Sequence, residues 1–222
     1  MDGPTIYALA EENPDMSDVE RLMTIYWTLS HVLVSGVPGD VVELGCHAGL
    51  TSVHLQMLID EFDPGRVLHV YDSFAGLPPA GPGDRHLRPG DLAVSAEALE
   101  RNFRRRSLRP PVIHRGWFDD TLPRGLPDQV AFAYLDSDFY GSIRTSWVHL
   151  YPRLSSGAIV LVDDYCDPDR NPRAWAGLPA VKLACDAFLA GKAESMTAVP
   201  GCGDLAMGFL RRDAGPAGGR TA

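Results

Sequence analysis

The chain has 222 residues, 45% hydrophobic and 22% charged, with a formal net charge of -9. Such a chain can bury an apolar core without disulfide or metal staples, and its acidic excess excludes nucleic acid as a main partner, because phosphate contacts need surplus Lys and Arg. Cys46, Cys166, Cys185 and Cys202 have no CxxC spacing, residues 1–14 lack the basic-then-apolar order of a signal peptide, and no run approaches the roughly 20 apolar residues that span a bilayer; free thiols, a cytoplasmic location and no membrane partner are expected.

Residues 1–16 read as a flexible arm. Ser17-Asp18-Val19-Glu20 has the spacing of a capping box, with Ser17 as the cap and Glu20 reaching back. Leu22, Met23, Ile25, Tyr26, Leu29 and Leu33 then recur at helical intervals until Gly36, which predicts an amphipathic helix with Trp27 in the core. A strand over 41–44 ends at Gly45, followed by a helix over 51–62 and a strand over 67–71. The Pro/Gly-rich stretch 77–92 predicts a mobile loop. Next come a helix over 95–106 (its Arg101 and Arg104 to Arg106 a solvated face), a strand over 111–114 and another over 130–135. A helix over 142–154, a strand over 158–162 and a helix over 179–190 follow, the last opened by Pro179 and closed by Gly191. Segments 195–199 and 205–210 flank Pro200-Gly201-Cys202-Gly203, which is hairpin chemistry. Alternating strands and helices ending in a hairpin predict one α/β domain over 17–212. Its sheet is mainly parallel, with an antiparallel strand from the hairpin and helices on both faces; residues 213–222 read as a disordered tail.

Open α/β sheets bind ligands beyond the carboxyl ends of their strands. After the first strand, Gly45 and Gly49 permit a tight turn, and the helix start at Leu50 to Ser52 offers free amides to a carboxylate. Asp72 follows the second strand, 27 residues beyond Gly45, where a carboxylate can accept hydrogen bonds from both hydroxyls of a ribose. His47 reads as a polar loop histidine. Two later strands end in Asp136-Ser137-Asp138 and Asp163-Asp164. Adjacent strands lie about 4.8 Å apart, so these carboxylates meet at one rim and repel unless a cation neutralises them. Oxygen-only ligands favour Mg²⁺ or Mn²⁺ over Zn²⁺. The assignment reached is Asp136, Asp163 and Asp164 to the metal and Asp138 to the catalytic base, with Asp136 at the reacting centre. Trp147, Trp175 and Phe188 are candidate acceptor-pocket rings, Trp175 foremost.

The segments Val42-Glu43-Leu44-Gly45 with Gly49, Tyr71-Asp72-Ser73-Phe74-Ala75-Gly76-Leu77-Pro78, Gly116-Trp117-Phe118-Asp119-Asp120-Thr121-Leu122-Pro123, Leu135-Asp136-Ser137-Asp138-Phe139-Tyr140 and Val162-Asp163-Asp164-Tyr165 resemble, in their order, the macrocin O-methyltransferase family. The resemblance runs from Ser17 to Arg211. It implies a class I methyltransferase (Rossmann-like) sheet of seven strands, S-adenosylmethionine and Mg²⁺ as cofactors, and a sugar-containing acceptor from natural-product (antibiotic) biosynthesis. A homodimer or larger homo-oligomer is also implied. It further implies a cofactor site made of Glu43, Gly45, Cys46, Gly49, Thr51 and Ser52, of Asp72 and Ser73 at the ribose, and of Gly116, Trp117 and Phe118 at the adenine. The rival readings are a catechol-type O-methyltransferase, an NAD(P)-dependent dehydrogenase and a non-catalytic binding protein. The dehydrogenase calls for a GxGxxG loop, and the sequence has GxxxG there.

Overall fold

The computed structural model describes residues 1, 3–13 and 17–213. In chain order the elements are α1 (Gly3–Glu12), α2 (Val19–Val34), β1 (Asp40–Leu44), α3 (Leu50–Phe62), β2 (Leu68–Asp72), α4 (Ala96–Arg105), β3 (Val112–Arg115), α5 (Phe118–Gly125), β4 (Val130–Leu135), α6 (Tyr140–Leu150), β5 (Leu154–Asp163), α7 (Pro179–Leu189), β6 (Thr197–Ala198) and β7 (Met207–Arg211). A single 3-10 turn, Tyr151–Arg153, closes α6. The strands form one sheet in the order β3-β2-β1-β4-β5-β7-β6. β1 to β5 pair in parallel, and β7 runs antiparallel to both β5 and β6. This is the predicted mainly parallel sheet with one antiparallel strand.

All six residues of β4 are buried, as expected for a parallel strand covered on both faces, where alternation gives way to a continuous apolar run. β5 begins earlier than its apolar stretch suggests. Its register against β4 shifts between Val130 and Phe132, and the slack is taken up on β5 at Gly157, whose φ is 85°. The order reverses at β1, which has β2 on one side and β4 on the other. Its last residue, Leu44, is in register with Tyr71 and Leu135, and Leu135 with Val162. One step further on, Asp72, Gly45, Asp136 and Asp163 form a row across four strands, and that row is the floor of the site.

Four expectations change. Residues 3–12 are a helix rather than a loose arm, because Ile6 and Leu9 find places in the core against α2. The cap of α2 is Asp18, whose Oδ1 accepts from the Arg21 amide at 2.7 Å. Glu20 reaches forward instead, accepting from the amides of Cys202 and Gly203 in the hairpin. Trp27 is 65% exposed; Ile25 and Leu29 take the buried face of α2, and position 27 falls off that stripe. α5 is a helix with no counterpart among the predicted elements, since Pro123 lies inside it. Residues 214–222 of the expected tail lie outside the described residues. Among the described residues no helix is long and apolar enough to cross a membrane.

Candidate active site

A cavity of about 900 Å³ opens above the row at the strand ends. Of the expected residues, Gly45, Asp72, Ser73, Gly116, Trp117, Phe118, Asp136, Asp138, Asp163 and Asp164 line it. The parallel strands bring these together, because each ends at the same rim.

The first loop is built by close packing. Gly45 has φ 92°, and a Cβ there would lie 1.7 Å from the Asp136 carbonyl oxygen. Only glycine lets the β1 loop pass so near the end of β4. Asp72 then organises the loop from below. Its Oδ2 accepts from the amides of Cys46 (3.1 Å) and His47 (2.8 Å), and its Oδ1 from Phe74 (2.7 Å). A carboxylate has about four lone-pair sites, so three amides leave it capacity to accept one further hydroxyl. Ser73 Oγ donates to the Gly76 carbonyl and accepts from the Ala75 amide, forming the turn into the insert.

Glu43, Cys46, Gly49, Thr51 and Ser52 do not line the cavity, contrary to expectation. Glu43 is buried and accepts from Ser52 Oγ. Burial, with Asp72 nearby, pushes its carboxyl up to about 8. Cys46 is buried too, and burial raises its thiol well above the usual range. Gly49 turns at φ 74° against the Leu99 side chain to start α3. These residues support the loop from behind. His47 does line the cavity, and burial lowers its pKa, so the ring is neutral at pH 7.

Carboxylate oxygens of Asp136, Asp138 and Asp164 all lie within 4.8 Å of one another. Asp138 (φ 55°) and Asp164 (φ 56°) are left-handed, a conformation that short polar side chains tolerate. Burial, followed by the charge of Asp163, raises Asp136 and Asp164 well above the carboxylate range, and the same causes push Asp138 up to about 7. Three carboxylates held this closely require protons or a cation.

Asp163, expected beside Asp136 and Asp164 as a cation ligand, falls outside that trio, and Asp138 falls inside it. Asp163 Oδ1 accepts from Arg21 Nε (2.7 Å) and from the Asp164 amide (3.0 Å), and Oδ2 accepts from the Tyr134 hydroxyl (2.7 Å). Arg21 Nη2 also stands 3.9 Å from Asp164 Oδ1. Burial disfavours the guanidinium charge, but Asp163, Tyr134 and Asp164 together outweigh it and hold the Arg21 pKa above its ordinary value. Arg21 had no signal in the sequence, because only the packing of α2 over β4 and β5 carries it to the rim.

The insert 77–92 forms one wall. It is tied back on itself by the Leu77 amide on the Asp91 carbonyl and the Gly90 amide on the Leu77 carbonyl, both at 2.9 Å. It is tied across to α6 by Asp84, whose Oδ1 accepts from the Tyr140 amide at 3.0 Å. The stretch expected to be a mobile loop is therefore pinned at several points. Beside it, Trp175, whose ring stands edge-on to His86 of the insert at 5.2 Å, and Leu178 line the cavity. Trp147 does not: it is fully buried, stacks on Phe188 and donates to Cys185 Sγ. Phe188 also lies away from the cavity, so Trp175 alone of the three expected rings faces it.

A sequence model of the family described as macrocin O-methyltransferase (TylF) matches residues 11–179. The demethyldecarbamoylnovobiocin O-methyltransferase of Streptomyces niveus is 37% identical over 169 residues, 70% of this chain and 64% of that protein. The 8-demethyl-8-(2,3-dimethoxy-alpha-L-rhamnosyl)-tetracenomycin-C 4'-O-methyltransferase of Streptomyces olivaceus is 37% identical over 161 residues, 68% of this chain and 62% of that protein. The chain thus spans a little under two thirds of the length of these relatives. Among solved structures, the O-methyltransferase NovP superposes with a TM-score of 0.76 at 32% identity, covering 88% of this chain and 81% of that one.

Proposed function

The chain belongs to the macrocin O-methyltransferase family, and from that premise we propose that it transfers a methyl group from S-adenosylmethionine to a sugar hydroxyl of a natural product, with a divalent cation at the acceptor. The observation that carries this reading is the meeting of Asp136, Asp138 and Asp164 in the same cavity as the Gly45 loop and Asp72.

The donor set fits a hard cation: it is all oxygen, it is half-buried, and Arg21 is the one Lys or Arg among the described residues lining the cavity. Asp136 and Asp164 would hold the ion, while Asp163, engaged by Arg21, Tyr134 and the Asp164 amide, would stand behind them as a further negative charge. Bound there, a divalent cation lowers the pKa of a hydroxyl and orients it, while S-adenosylmethionine supplies the methyl group. Asp138 is the base. A base must lie within hydrogen-bond reach of the oxygen it deprotonates, and a carboxylate this close to the other two is beside any hydroxyl they help to position. Asp72 would accept from a donor hydroxyl with its remaining lone pair, and Gly116, Trp117 and Phe118 would enclose the base of the donor. The insert and the Trp175 segment exclude water and keep the reactants aligned.

The test is calorimetric titration with S-adenosylmethionine, with and without Mg²⁺, followed by mass spectrometry of a rhamnoside incubated with both. Donor binding and chelator-sensitive methylation are expected. A folded protein that ignores the donor, or methylates equally well in EDTA, ends the proposal.

A further inference from the structure

Away from the cavity, β1, β2 and β3 bring Asp40, His69 and His114 into contact, and the methyl transfer proposed above uses none of them. His69 Nε2 stands 3.6 Å from Asp40 Oδ2, and His69 Nδ1 lies 3.1 Å from His114 Nε2. The His114 ring stacks on Tyr71, with 4.2 Å between centroids and 4° between planes. Gly125, the last residue of α5, packs so closely that a Cβ there would come 2.8 Å from His114 Nδ1, and its carbonyl accepts from the Tyr71 hydroxyl at 2.7 Å. Resting on the donor placement given above, we infer that the histidine pair is a proton-operated latch on the donor end of the cavity: it joins β2, β3 and α5 while one ring donates to the other, and protonation of both rings parts them and weakens donor binding.

The number of protons decides whether the bond exists. A carboxylate only accepts, so Asp40 draws the proton of neutral His69 to Nε2 and leaves Nδ1 to accept from His114 Nε2–H. One added proton is tolerated: His69 becomes an imidazolium beside Asp40, its Nδ1–H now donates, and His114 carries its own proton on Nδ1. With both rings charged, two N–H groups face each other across 3.1 Å and the positive charges repel. Burial lowers the pKa of both rings; Asp40 counters it at His69, whereas His69 adds to it at His114. The other titratable neighbours are Tyr71, which burial keeps protonated, and Arg153 from the turn closing α6, which acts on Tyr71 and donates to the Leu126 and Pro127 carbonyls. From α5 the pair meets the Gly125 backbone, while Asp119, Asp120 and Arg124 of that helix are exposed. The His69 and Asp40 side chains are 15% and 32% exposed, so protons reach the pair from solvent.

Both strands lead from the pair straight to the donor end of the cavity. Asp72 lies three residues beyond His69 and Gly116 two beyond His114, and the Gly116 amide donates to the Asp72 carbonyl at 2.9 Å. α5 begins at Phe118, which lines the cavity beside Trp117, and ends at Gly125 against the His114 ring. Rings that part therefore displace β3 and α5 together, and with them the wall formed by Gly116, Trp117 and Phe118.

The probe is S-adenosylhomocysteine, titrated calorimetrically into the full chain without metal at about pH 7.5 and about pH 5, beside circular dichroism melts under both conditions. A proton taken up as the ligand leaves lowers affinity by up to about tenfold per pH unit, so binding should weaken at least roughly tenfold between the two. In His114→Gln the side-chain amide donates or accepts and carries no charge, so the loss should be at least roughly threefold smaller. His47, inside the cavity, is present in both proteins and cancels from the comparison. Both rings have folded pKa values below the ordinary one, so the unfolded chain binds more protons as the pH falls; the pair's stability is present above about 6.5 and lost below it. The unaltered protein should therefore lose more melting temperature toward pH 5 than the variant. Should His114→Gln fail to fold, His69→Gln makes the same comparison from the other ring. Equal pH dependence of binding in unaltered and variant chains overturns the inference, as does a difference in melting with none in binding. Failure of S-adenosylhomocysteine to bind at about pH 7.5 instead removes the methyltransferase reading, and the latch falls with the donor site it was to serve.

Discussion

Replacing Arg21 by Gln tests the electrostatics of the site most directly. The Arg21 and Asp163 side chains are 13% and 4% exposed, so the pair is buried. Removing one member of a buried pair costs about 3–5 kcal/mol, because the other charge is left uncompensated. Asp163 keeps the Tyr134 hydroxyl and the Asp164 amide, which argues for the lower end, about 3 kcal/mol. In a chain of this size each kcal/mol moves the melting temperature by about 2–4 °C, so Arg21→Gln should melt roughly 6–12 °C below the unaltered protein in EDTA. A divalent cation brings positive charge to the same carboxylates, and a ligand that binds only the native state stabilises it. Saturating Mg²⁺ should therefore raise the variant's melting temperature by more than it raises that of the unaltered protein. Circular dichroism melts with and without the ion measure both effects. A loss below about 1 kcal/mol in EDTA, typical of a surface pair, would refute the buried pairing; equal stabilisation of both proteins by Mg²⁺ would refute the link between Arg21 and the carboxylate trio.

Asp164→Asn should lower Mn²⁺ affinity by at least about a hundredfold, more than a merely supporting residue costs, as read by calorimetry, while the fold is retained. Glu43 has a folded pKa of about 8 against 4.5 ordinarily, so between those values the folded state binds more protons than the unfolded one. Its contribution is greatest below about 4.5 and declines as the pH climbs toward 8. Glu43→Gln should therefore match the unaltered protein near pH 5 and melt above it at pH 8 and beyond. Gly45→Ala places a methyl group against the Asp136 carbonyl at a left-handed φ; a loss of at least about 2–4 kcal/mol in urea unfolding is expected. Asp84→Ala should cost about 1 kcal/mol, the worth of a helix cap, and speed proteolytic cleavage within 77–92.

The parts of the site legible in the sequence are those set by strand ends. Apolar runs that stop at Gly45, Asp72, Asp136 and Asp163 announce a parallel sheet, and parallel strands must end at a common rim. What the runs do not carry is the direction of each side chain beyond the rim. Asp136 and Asp163 are neighbours in the row, yet one joins Asp138 and Asp164 while the other turns to a guanidinium 142 residues away in sequence. No local pattern encodes that choice. The Gly45–Gly49 loop differs for a related reason. A GxxxG turn reads as a ligand cradle, whereas Gly45 is required first by the backbone of β4 and Gly49 by Leu99. The N-terminal helix escapes detection because ten residues with two buried apolar positions give little periodicity, and its stability comes from α2.

The hydrogen bond from the Tyr140 amide to Asp84 joins two parts of the molecule with different tasks. The insert contributes Leu77, Pro78, Leu87 and Leu92 to the cavity wall, and α6 begins two residues after Asp138. Loss of that bond would strip α6 of a carboxylate at the positive end of its dipole, two residues past Asp138, so the insert and the start of α6 hold each other in place.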